Sequence, residues 1–323
     1  MSHRPPRLLS FFLVLELAAS LACAQTYPDR PIRVVVPYAS GGSGDLVART
    51  IGARLTETWG QQVLIDNRPG AAGTVGAGLV AKAPADGYTL LVGTDAQMAI
   101  SPHIQKSLPY DPDKDFAHVV QAAFIEFVLV THPSIPAATV PQLVAHLKAH
   151  PGKYSYATPG IGSSAHLSME WFKNVAGVDV VHIPYKGSSQ IMPDVIAGLV
   201  QITYTGIPQT IPQVAAGKLN AIALGAAKRL ASAHGVPTIG ESYPGFEANA
   251  SWNYFAPRGT SREIVIRLNR EINRILVMPE VNERLVSQGL IPIGGTPEQF
   301  AARMKADYEK WGKVIRQIGL KAE

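Results

Sequence analysis

Short apolar segments alternate with amphipathic ones along most of this chain, and no other feature restricts its fold as strongly. Residues 32–38 form a β-branched run typical of a buried strand, and residues 45–57 follow with apolar side chains at helical spacing. Two further predicted strands, 62–66 and 88–94, enclose a helix near 74–82. This order predicts parallel βαβ units, with the loops at the carboxyl ends of the strands along one exposed edge.

The same alternation restarts after residues 124–131, a predicted strand that we expect to cross from one domain into another. The second block consists of predicted helices 140–150, 163–175, 189–197 and 208–216 and predicted strands 154–158, 180–185, 200–205 and 221–225. We therefore predict two α/β domains, the first from residues 25–125 plus 240–323 and the second from residues 126–239. Small-molecule sites favour the cleft that such a pair of domains encloses.

The tail of the chain has one apolar stripe at intervals of three or four residues, which predicts an amphipathic helix. Its members are Phe300, Met304, Tyr308, Trp311, Ile315 and Ile318. We interpret the stripe as core packing, with the tail folding back onto the first domain.

Residues 1–24 predict a secretory signal peptide. Arg4 and Arg7 give a basic start, a mostly apolar run follows, and small residues offer a cleavage site before Gln25. The apolar run is too short for a membrane anchor and is interrupted by Glu16. We therefore expect the mature chain to be exported and soluble.

Cys23 is the only cysteine of the chain, and it lies inside the predicted signal peptide. A chain cut after Ala24 then has no disulfide and no cysteine-based catalytic or metal site. The alternative is lipoprotein processing, in which Cys23 is acylated and becomes the first residue. Ser20 fits that alternative poorly, because a lipobox has an aliphatic residue at this position.

The charge of the chain is mildly basic. The net charge is +5, and removal of residues 1–24 takes away Arg4, Arg7 and Glu16 and leaves +4. The excess is spread thinly, without a Lys/Arg run or a stripe of basic and aromatic residues, so we expect no nucleic-acid partner. A basic protein favours anionic solutes.

Glycines and hydroxyl side chains crowd the loop between the first predicted strand and the first predicted helix. Gly41 and Gly42 let the backbone approach a ligand closely, and free N–H groups at the start of a helix attract an anion. Ser40 and Ser43 add hydroxyl donors. One interpretation is a tight turn with Asp45 as the N-cap of the helix. The other is a cradle for a carboxylate.

A second loop, residues 158–166, repeats this design in the second block. It joins the end of a strand to the start of a helix, and it contains Gly162, Ser163 and Ser164. Two such loops on two domains predict that both grip one anion across the cleft. His166 is either a donor to the ligand or a packed histidine in the first helical turn.

No catalytic or cofactor motif fits the spacing of these loops. Residues 41–45 begin like a nucleophile elbow but end in aspartate instead of glycine, and neither loop matches a P-loop or the dinucleotide fingerprint. His146 and His150 are four residues apart on a predicted surface helix, but no histidine pair at zinc-ligand spacing has a plausible third ligand. The three aspartates of residues 111–115 lack the glycine and glutamate of a calcium loop. We expect no enzyme activity, no cofactor and no metal. A secreted serine hydrolase with Ser43 or Ser163 as nucleophile is the alternative, without a sequence signal in its favour.

Short sequence blocks follow one another in a fixed order along the mature chain. They are Tyr27-Pro28-Asp29-Arg30-Pro31-Ile32, Val36-Pro37-Tyr38 with Gly41-Gly42, Asp45 and Ala48-Arg49, Asn67-Arg68-Pro69-Gly70-Ala71, Asp86-Gly87-Tyr88-Thr89-Leu90-Leu91, Leu108-Pro109-Tyr110-Asp111-Pro112, Pro184-Tyr185-Lys186-Gly187, Ala256-Pro257 and Arg267-Leu268-Asn269. In this order they resemble the tripartite tricarboxylate transporter substrate-binding proteins, the Bug or TctC family. The resemblance is specific, because the blocks span nearly the whole mature chain.

The resemblance implies a periplasmic receptor with a Venus-flytrap fold, in which two α/β lobes close on a ligand, commonly a dicarboxylate or an amino acid. It also implies delivery of that ligand to membrane subunits of a tripartite tricarboxylate-type transporter. Residues that would contact a ligand carboxylate are Tyr38, Ser40, Gly41, Gly42, Asp45, Gly162, Ser163, Ser164 and His166, and Thr94 and Asp95 are further candidates in the cleft. We expect a monomer. Contact between the closed protein and a sensor kinase is an alternative role, because sensing and transport use the same closure.

Two positions depart from the family pattern. The chain has Ser188-Ser189-Gln190 where the family usually has a proline, and Tyr204-Thr205 where an aspartate is common. Tyr204 is either a core residue or an aromatic wall of the cleft with one hydroxyl. In the second case an ammonium group would lose its counter-charge, which favours a plain or aromatic carboxylate over an amino acid.

Overall fold

The strands of the computed structural model form two separate sheets. The structure describes residues 27–230, 233 and 235–320, so the predicted signal peptide and Cys23 lie outside the described residues. Each sheet is mixed, with parallel and antiparallel neighbours.

The first sheet takes its six strands from both ends of the described chain. They are β1 (Ile32–Val36), β2 (Val63–Asn67), β3 (Thr89–Gly93), β4 (Phe116–Ile125), β10 (Ala250–Pro257) and β11 (Leu290–Pro292). Their spatial order is β11-β4-β10-β3-β1-β2. β1 is parallel to β2 and β3, as the alternation predicts, whereas β10 is antiparallel to β3 and β4, and β11 to β4.

The second sheet takes its five strands from the middle of the chain. They are β5 (Phe127–Thr131), β6 (Ser155–Thr158), β7 (Val181–Pro184), β8 (Ile202–Gly206) and β9 (Asn220–Leu224), in the spatial order β7-β6-β8-β5-β9. β6 is parallel to β7 and β8, whereas β5 is antiparallel to β8 and β9.

Helices follow most of the strands. They are α1 (Ser43–Trp59), α2 (Thr74–Ala81), α3 (Ser101–Ile104), α4 (Val140–Ala149), α5 (Ser164–Ala176), α6 (Ile191–Ile196), α7 (Ile207–Ala215), α8 (Arg262–Leu276), α9 (Pro279–Ser287) and α10 (Pro297–Ile318). A serine or threonine hydroxyl caps the amino end of four of them, at Thr139, Ser163, Ser261 and Thr296. In the described ranges no helix is both long enough and apolar enough to cross a membrane.

The chain passes between the sheets at Glu126. β4 ends at Ile125 and β5 begins at Phe127, so one extended segment serves both sheets. The crossing strand predicted at 124–131 is therefore observed, although it begins earlier and is interrupted. The predicted parallel βαβ units are observed in β1–β3 and in β6–β8, whereas β5, β10 and β11 pair antiparallel with their neighbours. The chain reaches β5 directly from the first sheet and β10 directly from the second sheet. Neither strand therefore follows the helical crossover that parallel neighbours require.

The tail helix α10 completes the core, as the apolar stripe predicts. Phe300, Met304, Trp311 and Ile315 are buried, whereas Tyr308 is 40% exposed and does not belong to the core. The helix packs against β4 of the first sheet and against α5, which follows a strand of the second sheet. The tail therefore contacts both halves of the molecule.

Candidate functional site

A cavity of about 260 Å³ lies where loops of the two sheets meet. Its volume is close to the lower limit of about 300 Å³ for small-molecule pockets. Eight of the residues predicted from sequence line it, namely Tyr38, Gly41, Gly42, Asp45, Thr94, Ser163, Ser164 and Tyr204. Four others do not line it: Ser40 is exposed, and Asp95, Gly162 and His166 lie outside its wall. Ser43 also lines the cavity and lies in the first predicted loop.

The first wall of the cavity is the amino end of α1. The helix begins at Ser43 with Gly42 as N-cap, and no side chain caps it. Its first N–H groups therefore have no acceptor within the helix, and the helix dipole adds partial positive charge there. The prediction of Asp45 as the N-cap was wrong, because the helix begins two residues earlier and places Asp45 inside its first turn.

Asp45 holds this turn together instead of capping it. Its Oδ2 accepts hydrogen bonds from the backbone N–H of Gly41 at 3.2 Å and from Nε of Arg49 at 2.9 Å. Burial raises the pKa of Asp45, but the hydrogen bonds from Arg49 and Gly41 outweigh it, so the pKa lies below its usual value. The ionised carboxylate and the guanidinium neutralise each other, and the helix end supplies the remaining positive potential.

The second wall is the amino end of α5. Ser163 is its N-cap, and its Oγ accepts the N–H of His166 at 3.2 Å. The N–H groups of Ser164 and Ala165 come first in this helix, and both residues line the cavity. Two helix amino ends from different sheets therefore border one cavity.

His166 is packed behind the second loop, which decides between its two interpretations. Its Nδ1 accepts the N–H of Gly162 at 3.1 Å, and its ring stacks on His182 at 4.3 Å between centroids. Burial lowers the pKa of His166 to about 4 and that of His182 to about 3. A neutral ring suits the acceptor role, so His166 shapes the loop from behind.

Asp95 lies behind the cavity wall and joins both halves of the molecule. Its Oδ1 accepts from Oγ of Ser164 at 3.0 Å, and its Oδ2 accepts from Nε1 of Trp311 at 3.1 Å. Burial, followed by the charge of Asp307, raises the pKa of Asp95 to about 7. Asp95 therefore positions Ser164, whereas its neighbour Thr94 reaches the cavity.

Aromatic rings form a third wall, and Trp252 is the member that the sequence analysis missed. Its Nε1 donates to Oγ of Ser43 at 3.1 Å, and its ring meets that of Tyr38 edge to face at 5.6 Å. Oη of Tyr38 in turn donates to the carbonyl of Ala72 at 3.2 Å and accepts from Gln97 at 3.0 Å. The wall is therefore fixed from both sides.

Tyr204 is a core residue whose ring also borders the cavity. It is 1% exposed, and its Oη donates to the carbonyl of Ala248 at 2.7 Å. Gly225 makes this position possible, because a Cβ there would lie 1.6 Å from the hydroxyl oxygen. The hydroxyl of Tyr204 therefore already donates its hydrogen bond within the protein, and only the ring is available to contact a ligand.

The hydrolase alternative finds no support in the geometry. Oγ of Ser43 accepts from Trp252, Oγ of Ser163 accepts a backbone N–H, and within the described ranges no histidine ring is hydrogen-bonded to either. A serine nucleophile needs a base within hydrogen-bonding reach. The same ranges contain no group of three His, Cys, Asp or Glu side chains suited to a metal ion.

Known proteins with the same architecture were found by sequence and by structure. Residues 47–320 match the model of the tripartite tricarboxylate transporter family receptor. Protein BugT of Bordetella pertussis is 35% identical over 315 residues, which cover 97% of this chain and 97% of BugT.

Two solved structures that hold ligands are similar over most of the chain. R. palustris Rpa4515 with adipate has a TM-score of 0.88 at 36% identity, over 92% of this chain and 100% of its own. MatC from Rhodopseudomonas palustris with bound malate has a TM-score of 0.83 at 32% identity, and the match covers 90% of this chain and 100% of the MatC chain. Such neighbours are two-lobed periplasmic binding proteins, which confirms the predicted α/β fold. The chain belongs to the tripartite tricarboxylate transporter receptor family, a family of solute-binding receptors.

Proposed function

We propose that the protein is a periplasmic receptor that captures a small organic carboxylate between its two lobes and delivers it to membrane subunits of a tripartite tricarboxylate-type transporter. One observation supports this most strongly: the amino ends of α1 and α5 border the same cavity, although α1 follows a strand of the first sheet and α5 follows a strand of the second. Helix amino ends bind carboxylates through free N–H groups and the helix dipole. We also propose that the domain boundaries lie between residues 125 and 126 and between residues 239 and 240. The sheets support this division, because β1–β4, β10 and β11 form one sheet and β5–β9 form the other.

The ligand contacts follow from the lining residues. N–H groups at Ser43, Gly44, Ser164 and Ala165 would hold one carboxylate of the ligand, since all four residues line the cavity. Tyr38, Thr94 and the ring of Tyr204 would shape the space around it. Ser40, Asp95, Gly162 and His166 would act by shaping the loops.

The composition of the wall argues against an amino acid as ligand. Asp45 is the only acidic residue among the described residues that line the cavity, and it is already paired with Arg49. Tyr204 offers no carboxylate, and its hydroxyl already donates to the carbonyl of Ala248. An ammonium group would enter without an unpaired counter-charge and would lose its hydration. The carboxylates in the two Rhodopseudomonas palustris structures, adipate and malate, have no ammonium group.

A melting-temperature screen tests the proposal. The mature protein, dialysed free of small molecules, is heated with aliphatic dicarboxylates, aromatic acids and amino acids, and with the primary amide of each acid as matched control. At one hundred times its Kd a ligand stabilises the native state by about 2.7 kcal/mol. We expect at least one acid to raise the melting temperature and its amide to leave it unchanged. A protein that responds to amides or amines but to no acid would contradict the proposal.

A further inference from the structure

Arg284 lies on the cavity wall without a partner of its own. Arg49 and Arg284 are the basic residues among the described residues that line the cavity, and Arg49 is bound to Asp45 at 2.9 Å. Ser287 Oγ donates to the backbone carbonyl of Arg284 at 3.0 Å, but no described residue forms an ion pair or a hydrogen bond with the guanidinium of Arg284. A guanidinium has five N–H donors in a rigid fork that matches a carboxylate. Gln288, four residues further along the chain, also lines the cavity.

The register of the first sheet shows what separates Arg284 from the helix amino ends. Ile125 on β4 pairs with Ala250 on β10 and with Leu290 on β11, so these three apolar side chains form one row. All three line the cavity. Trp252 stands two residues beyond Ala250 on the same face of β10, where it meets Ser43. Arg284 and Gln288 come just before Leu290 at the other end of the row.

The cavity therefore has a polar end, an apolar floor and a second polar end. Two strand spacings separate Ala250 from Leu290 across the floor, which is on the order of 10 Å. The first polar end has the free N–H groups of two helices, and the second has one unpaired guanidinium. A ligand with an anionic group at each end of a short aliphatic chain matches this order of surfaces.

We infer that Arg284 is the residue by which the site selects ligands with a second anionic group. The inference rests on the proposed function, because it assumes that the first carboxylate binds at the helix amino ends. Arg284 stands on the exposed rim of the cavity, so a ligand group can reach it from solvent. Gln288 adds an amide donor beside it. The apolar row between the two ends sets the length of the ligand.

Calorimetric titration of matched ligands tests the inference. Succinate, glutarate and adipate are compared with butyrate, valerate and hexanoate, which have the same chain lengths and one carboxylate. The proteins are wild type, Arg284→Gln, Arg284→Lys and Arg270→Gln. Arg270 is the matched control, because it is an exposed arginine on the neighbouring helix α8 that does not line the cavity.

We expect the wild type to bind one dicarboxylate more tightly than its monocarboxylate. Arg284→Gln should weaken that dicarboxylate at least tenfold and change the monocarboxylate less than threefold, because a charged hydrogen bond is lost only with the second group. Arg284→Lys should recover part of the affinity, and Arg270→Gln should change neither ligand. Equal affinity of wild type for both ligands, or equal losses for both in Arg284→Gln, would overturn the inference and leave the proposed function standing. Absence of binding by every carboxylate would overturn both.

Discussion

Replacement of Gly44 by alanine should destabilise the protein by about 1–3 kcal/mol, the usual range for overpacking a filled core, and should also weaken ligand binding. A Cβ at this position would lie 2.5, 2.6 and 2.8 Å from three ring carbons of Trp252. The indole cannot move freely, because it is 5% exposed, packs against Tyr38 and donates to Ser43. Either the ring or the start of α1 must shift, and each of these forms part of the cavity wall.

Gly42 provides the matched control in the same loop. A Cβ there would meet only the carbonyl oxygen of Ala39, at an ordinary 3.8 Å, and its φ of −85° suits any residue. Urea unfolding should therefore show a clearly lower free energy of unfolding for Gly44→Ala and little change in that free energy for Gly42→Ala. Gly44→Ala combined with Trp252→Phe should recover part of the loss, because the smaller ring vacates the overlap. Equal stability of the two single variants would contradict the packing that we describe.

His166→Gln should cost the protein progressively less stability as the pH falls. An unfolded histidine has a pKa near 6.5, whereas burial holds the pKa of His166 at about 4 in the folded protein. The unfolded state therefore binds more protons between these values, and the stabilisation from neutral His166 is complete above pH 6.5 and lost towards pH 4. The difference in unfolding free energy between wild type and variant should shrink by on the order of 3 kcal/mol across this window.

Asp95→Asn is the control with the opposite sign. The pKa of Asp95 is raised to about 7 from a normal value of 3.8, so its contribution to stability is present below pH 3.8 and is lost as the pH rises to 7. As the pH falls, the unfolding free energy of wild type should therefore rise relative to that of Asp95→Asn and fall relative to that of His166→Gln. Urea unfolding at half-unit steps from pH 7.5 to pH 4.5 measures both differences. Parallel pH profiles for the two variants would contradict the assignment of their protonation states.

The sequence was sufficient for the architecture and for both loops. β-branched runs and helical spacing located most strands and helices to within two residues, because these periodicities are local properties. The strand β10 was missed, because all eight of its residues are buried and its polar positions, Ser251 and Asn253, are residue types that are typical of turns. Trp252, which stands on this strand, was missed with it.

Side-chain roles that depend on distant partners were not predictable from the sequence. The sequence around His166 is equally consistent with a ligand donor and with a packed residue. The stacking of His182 on its ring, which only the fold reveals, decides for the packed residue. Asp95 meets Ser164 and Trp311, which are 69 and 216 residues away in sequence. Arg284 reaches the cavity because β11 pairs with β4, and no local pattern indicates that pairing.

The central claim is that the amino ends of α1 and α5 hold one ligand carboxylate together. Amide proton and nitrogen NMR shifts, followed while the best acid from the melting screen is titrated in, test it most directly. Our account predicts that the largest shifts fall on Ser43 and Gly44 in one lobe and on Ser164 and Ala165 in the other, with the same midpoint. The amide of the same acid should produce neither set. Shifts confined to one of the two helix ends, or found away from both, would contradict the account.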